Sequence, residues 1–287
     1  EGYNGGTANT LKDFPVPVRV HEPRTPGKGD GYEAFSGFSY ARAGSTGKEL
    51  RFFDANGDPV EHEVDTWNIY GESVLWVRVP SLKSATTKLT MCWHRIGEIR
   101  LPDYDPAGVW NRVYDGVWHF SKRDGNSFAD SSGHGRDAYL SSAAKVEEID
   151  GRMGKALYVR QGDLIADDWP YPTGTGSNKF TFSGWYRYPD FKADGSVSGG
   201  KRMFAGVKLG AGTTEEMKTW PGWALRMNDA NNKVMWETTG AEFVRDPIGW
   251  NLQTTWGYLG YVGGINANGT GVKQLYAYSS TFNKGSQ

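Results

Sequence analysis

Apolar and polar positions alternate at period two through much of the first hundred residues, a pattern that predicts strands rather than helices. In Phe14-Pro-Val-Pro-Val-Arg-Val20, the residues Phe14, Val16, Val18 and Val20 fall on one face. Pro15 and Pro17 share the other face and have no N–H for a ladder, which places this strand at a sheet edge. Residues 25–47 are rich in Gly, Ser and Pro and read as a long loop. A short strand over 50–53 follows, and Asp54-Ala-Asn-Gly-Asp58 carries the Asn-Gly pair of a hairpin turn. Runs at 60–70, 73–79 and 87–94 complete a meander of about five or six strands.

Residues 97–113, with Pro102 and Pro106, break the pattern and read as an interdomain linker. Beyond it the alternation restarts. Strands are expected at 116–120, 156–159, 180–188, 203–209, 223–227, 233–237, 256–262 and 273–278, with turn signals between them. No tandem repeat and no convincing amphipathic helix interrupts the series.

Composition supports the same fold class. The 287 residues include 39 Gly, 12 Trp, 15 Tyr and 13 Phe against an apolar total of only 38%. That balance suits short strands and tight turns, so the chain is expected to be all-β. Lys and Arg number 32 and Asp and Glu 33, a net charge of −1, which offers no general pull toward nucleic acid or anionic lipid. Cys92 stands alone, so no internal disulfide framework exists. Its strand-like setting in 88–94 predicts a small buried hydrophobe. No run of eighteen apolar residues and no signal peptide occurs, and membrane insertion of this segment is not expected.

Several motifs then carry a resemblance. Asp115-Gly-Val-Trp-His-Phe-Ser-Lys-Arg-Asp124 and Phe128-Ala-Asp-Ser-Ser-Gly-His-Gly-Arg-Asp137 are followed by Gly154-Lys-Ala-Leu157 and Phe180-Thr-Phe-Ser-Gly-Trp185. In that order they resemble the concanavalin A-like/laminin-G-like jelly-roll family over about 115–287. The first segment resembles domain-of-unknown-function family 2341, a β-sandwich module of bacterial exported proteins. The residues that carry this are Gly2-Tyr3-Asn-Gly5, Leu11-Lys-Asp-Phe-Pro-Val16, Glu49-Leu-Arg-Phe-Phe-Asp-Ala-Asn-Gly57, Trp67 and Leu75-Trp-Val-Arg-Val-Pro80. The resemblance implies a β-sandwich at 1–98, a linker at 99–111 and a jelly roll at 112–287. It also implies an extracellular or cell-surface setting in a bacterial envelope. The family's closing Gly-x-Ile-Asp-Glu-Val-type strand has no counterpart before Gln287, so one or two further strands are expected beyond the given sequence.

Candidate chemistry is sparse. Asp54, Asn56, Asp58 and Asp65 fall at positions one, three, five and twelve of an EF-hand-like loop, but Pro59 stands where the sharp turn requires Gly. A plain hairpin turn is the better reading. At Asp130-Ser-Ser-Gly-His-Gly-Arg-Asp137, jelly rolls of this kind often hold one structural Ca²⁺, which makes Asp130 and Asp137 the metal candidates; the alternative is an Asx-type turn. Glu61-His-Glu63-Val-Asp65 sets three carboxylates on one face of a strand. Some jelly-roll glycosidases carry such a strand, yet here the order differs and the run lies outside the jelly roll, so a solvated face is expected. The five His are scattered and form no zinc pattern.

Trp169, Tyr171, Trp220 and Trp250 sit beside Pro or Gly in loop-like stretches. Exposed Trp and Tyr rings stack on the apolar faces of sugars, and loop tips on a rigid sandwich are the usual place for them. Taken with these rings, the family resemblance implies a non-catalytic carbohydrate-binding or adhesion module, with a glycan or cell-surface ligand and other domains of a longer chain as partners. A purely structural spacer is the second reading and a jelly-roll glycoside hydrolase the third.

Overall fold

The computed structural model describes residues 10–22, 38–83, 87–93, 104–110 and 113–166, followed by the strand segments 180–187, 202–206, 223–228, 233–238, 244–245, 256–265, 271–279 and 282–286. The chain is all-β and divides into two compact units, Glu1–Trp169 and Pro170–Gln287. The first unit therefore extends well past the expected linker.

Its strands are β1 (Leu11–Val20), β2 (Arg51–Phe53), β3 (Pro59–Val60), β4 (His62–Thr66), β5 (Ser73–Leu82) and β6 (Thr90–Cys92), then β7 (Arg123–Asp124), β8 (Ser127–Phe128), β9 (Ala138–Leu140), β10 (Lys145–Asp150), β11 (Lys155–Gln161) and β12 (Leu164–Ala166). They form antiparallel sheets in the orders β1-β5-β4, β3-β2-β6, β12-β9-β8-β7 and β10-β11. The prolines of β1 are accommodated because β1 pairs only with β5, at the edge of its sheet. Asn56-Gly57 closes the β2–β3 hairpin as expected. Gly57 adopts φ 87°, and the Asp54 carboxylate accepts from the amides of Asn56 and Asp58 at 2.8 and 3.0 Å.

The core of this unit gathers Val20, Leu50, Phe52, Leu75 and Val77, each at most 2% exposed. Burying an aliphatic or aromatic side chain of this kind stabilises by roughly 1.5–3 kcal/mol. Phe38, Tyr40 and Trp67 seal one end through edge-to-face contacts with ring centroids 5.0–6.4 Å apart. Tyr40 belongs to a single helical turn, Tyr40–Ala43, within the stretch expected to be loop.

Three local expectations are corrected. Cys92 is exposed, because the alternation of β6 sends Met91 toward the core and its neighbours outward. Phe14 is 39% exposed and Pro15 is buried, so the expected alternation does not hold at the start of β1, where Asp13 adopts φ 49°. Residues 116–120 form no ladder. Their polar groups are taken by the next turn instead, where the Val117 amide donates to Asp130 Oδ1 (2.9 Å) and the Val117 carbonyl accepts from the Ser131 amide (2.8 Å).

The second unit contains β13 (Phe180–Tyr186), β14 (Arg202–Gly206), β15 (Trp223–Asn228), β16 (Lys233–Thr238), β17 (Val244–Arg245), β18 (Gly257–Ile265), β19 (Gly271–Ser279) and β20 (Phe282–Ser286). They build two antiparallel four-stranded sheets, β13-β18-β19-β20 and β14-β15-β16-β17. Each of the six strands expected from residue 180 onward has a counterpart here. Trp185 packs against Tyr258 at 5.5 Å, and burial pushes the Tyr186 hydroxyl above its usual pKa. Among the described residues, no helix is long and apolar enough to cross a membrane.

Candidate functional site

A buried polar cluster forms around β4, which carries Glu63 and Asp65 and is preceded by Glu61. Two of the three carboxylates, Glu63 and Asp65, are covered rather than solvated, whereas the Glu61 side chain remains 37% exposed. Glu63 is 1% exposed and Asp65 6% exposed. The cover comes from residues 104–110 and 113–131, which lie across the strand.

Glu63 receives a full set of partners from that segment. Its Oε1 accepts from Lys122 Nζ at 2.6 Å and Ser131 Oγ at 2.7 Å. Its Oε2 accepts from Trp110 Nε1 at 2.7 Å and lies 3.2 Å from His119 Nε2. All four acceptor positions of the carboxylate are thereby filled. Burial alone would raise its pKa. The hydrogen bond and charge of His119, followed by those of Lys122, outweigh burial and hold the carboxyl down at about 2.

The His119 ring bridges to the second carboxylate, with Nδ1 3.8 Å from Asp65 Oδ2. Trp76 stacks on the same ring at 5.3 Å with an interplanar angle of 18°, and its indole N–H donates to Asp65 Oδ2 at 3.2 Å. Trp110 packs tilted against the same ring at 5.3 Å and edge-on against Trp76 at 5.2 Å, so the three rings form one cluster. Two local features fit the cluster together. Asp65 is the extra residue of a β-bulge in the β4–β5 pairing. Gly154, at φ 63°, leaves room where a Cβ would stand 2.9 Å from Thr66 Oγ1 and 3.1 Å from Asp65 Oδ2.

Glu61 has a different partner. It pairs with Arg78, whose other arm reaches Asp13 at 3.1 Å. His62, the first residue of β4, faces the opposite way, between Phe52 and Tyr104 at 5.2 and 5.1 Å. Burial, and then the charge of Arg51, lower its pKa from 6.5 to about 4, so it is neutral in the fold at pH 7.

Glycoside hydrolysis needs one carboxyl that holds a proton and a second facing the same cleft. Glu63 is instead held ionised and fully hydrogen-bonded. The arrangement suits a clamp that fixes one segment of chain on another rather than an acid–base pair.

Asp130 fits the Asx-turn reading. Its Oδ1 accepts from the amides of Val117 and Ser132, both at 2.9 Å, and its Oδ2 accepts from Ser132 Oγ at 2.7 Å and the Arg136 amide at 3.1 Å. Asp137 Oδ1 accepts from the Asp130 amide at 2.8 Å. Burial would raise the Asp130 pKa, but these hydrogen bonds, led by that of Ser132, hold it below its ordinary value. With every lone-pair position of Asp130 engaged by N–H or O–H donors, the pair does not fit a calcium ion in this arrangement. Among the described residues, no group of three or more His, Cys, Asp or Glu is placed to hold a metal.

Trp169, Tyr171, Trp220 and Trp250 lie outside the described residues. Sequence reasoning missed Trp110, His119, Lys122 and Ser131, which stand 47 to 68 residues from Glu63 along the chain. One signal was present: three carboxylates beside His62 in a strand otherwise built for burial require partners from elsewhere. No family model, curated protein or solved structure matches the chain.

Proposed function

We propose that this chain is a non-catalytic carbohydrate-binding or adhesion module of a bacterial exported surface protein, in which a β-sandwich precedes a concanavalin A-like jelly roll. The first unit acts as a rigid scaffold, and loop aromatics, with Trp169, Tyr171, Trp220 and Trp250 the candidates, contact the glycan. What supports the non-catalytic part is the saturation of Glu63: four donors hold this carboxylate ionised, which argues against it as the general acid of the β4 carboxylates. The sugar-binding part rests on the motif resemblance and on the chemistry of exposed aromatic rings.

A structural spacer is favoured by the same cluster, since a clamp of this kind stiffens the chain without needing any ligand. A glycan array separates the two readings. Binding that survives a chelator and is lost on Trp→Ala change at 169, 220 or 250 supports recognition. No binding across a broad array by the folded protein supports the spacer. Hydrolysis of any arrayed glycan, abolished by Glu63→Gln, overturns both.

A further inference from the structure

The hairpin between β4 and β5 turns through Asn68-Ile69-Tyr70-Gly71, with the Gly71 amide donating to the Asn68 carbonyl at 3.1 Å. The two central positions of such a turn usually carry Pro, Asp, Asn or Ser, whose side chains either preset the backbone or bond to it. Here they carry an isoleucine and a tyrosine. Tyr70 is 92% exposed and Ile69 46% exposed, consecutive residues at the turn. A scattered exposed apolar residue is ordinary, but two adjacent ones on a turn that gains nothing from them locally are not.

The tip is also braced. Asn68 Oδ1 accepts from the Tyr70 amide at 3.1 Å, and the Asn68 amide donates to Ser73 Oγ at 2.8 Å. Ser73 Oγ lies 2.8 Å from the buried Tyr40 hydroxyl, which also reaches the carbonyls of Gly71 and Val20 at 3.0 Å. The turn is thus tied to the core through one tyrosine, and the exposed ring sits on a preorganised support rather than a loose loop. Its flank is polar: Glu72 pairs with Arg19 at 3.4 Å.

We propose that Tyr70, flanked by Ile69, is a stacking platform for a sugar ring. This rests on the carbohydrate-recognition reading and adds a contact in the first unit. The size of the patch selects the ligand class. A stable protein partner needs roughly 20–30 residues a side, far more than a two-residue tip provides. A single phenol ring with an aliphatic neighbour and polar groups beside it matches the apolar face and hydroxyl rim of one sugar residue. The rigid backbone removes the ordering cost that a mobile tip would add to binding.

The test is depletion of the protein from solution by suspensions of cellulose, xylan and chitin, with phosphatidylcholine/phosphatidylglycerol vesicles alongside. The wild type is expected to bind at least one polysaccharide. Tyr70→Ala should weaken that binding about tenfold, while Tyr70→Phe, which keeps the ring, should retain it. Near-ultraviolet circular dichroism and Tm should be unchanged in both variants, because Tyr70 is almost wholly exposed. Wild-type affinity in Tyr70→Ala, with binding lost only on Trp→Ala change at 169, 220 or 250, overturns this inference and leaves the functional reading standing. No polysaccharide binding by the wild type overturns both. Tyr70-dependent capture by the vesicles alone assigns the tip to membranes and overturns it as well.

Discussion

Glu63 shows how one side chain can decide which chemistry a strand supports. Four donors and near-complete burial make it a structural anion. Replacing it by Gln removes the charge and turns an amide N–H₂ toward groups that themselves donate. Glu63→Gln is therefore expected to cost about 3 kcal/mol, read as a lower urea midpoint with an unchanged slope. Acid tests the same residue. Its carboxyl titrates at about 2 in the fold, against an ordinary 4.5, so its contribution is present above pH 4.5 and is lost as pH falls toward 2. His62 governs an earlier window. Its folded pKa of about 4 lies below the ordinary 6.5, so from pH 6.5 downward the unfolded chain gains a proton that the fold resists. Stability should drop by on the order of 3 kcal/mol between pH 6.5 and 4. His62→Phe should flatten that part of the stability–pH curve and leave the part below pH 4 in place, as urea melts at stepped pH would show.

At the level of strands and turns, much of the architecture was legible beforehand. Prolines marked β1 as an edge, Asn56-Gly57 marked the β2–β3 turn, and alternation located β4, β5 and β6. These are local signals, each written within about ten residues. Where expectation and structure part, a longer-range contact has intervened. Residues 116–120 have the composition of a strand, yet their backbone bonds to the Asp130 turn. Position-specific space is equally hidden from local pattern. Gly154 and Gly57 both adopt positive φ, but a methyl group at 57 meets nothing within 4 Å, whereas one at 154 runs into Thr66 and Asp65. Gly57→Ala should cost about 1 kcal/mol from backbone strain alone. Gly154→Ala should cost about 1–2 kcal/mol more, with a correspondingly larger fall in Tm in a calorimetric scan.

For the molecule as a whole, the cluster redefines what folds together. The composition break at 97–113 suggests an end to the first sandwich, yet Trp110, His119, Lys122 and Ser131 complete the burial of a strand that begins at His62. A polypeptide ending at residue 98 would leave Glu63 and Asp65 facing either water or an unpaired apolar surface. It is expected to show no cooperative urea transition, whereas one covering 1–169, the first compact unit, should melt in a single step. The carboxylates of the candidate site were legible in sequence, but their partners were not, for the same reason. Its donors are scattered, and none of them forms a motif with Glu63 until the chain has folded.

That scatter has an evolutionary consequence. A lone substitution at Trp110, His119, Lys122 or Ser131 strands part of a buried anion, and a lone substitution at Glu63 strands four donors. Among diverging descendants of this sequence, the five positions should be kept or exchanged in concert. Their shared pattern of change would then serve as a fingerprint for the fold in chains too distant to align by eye.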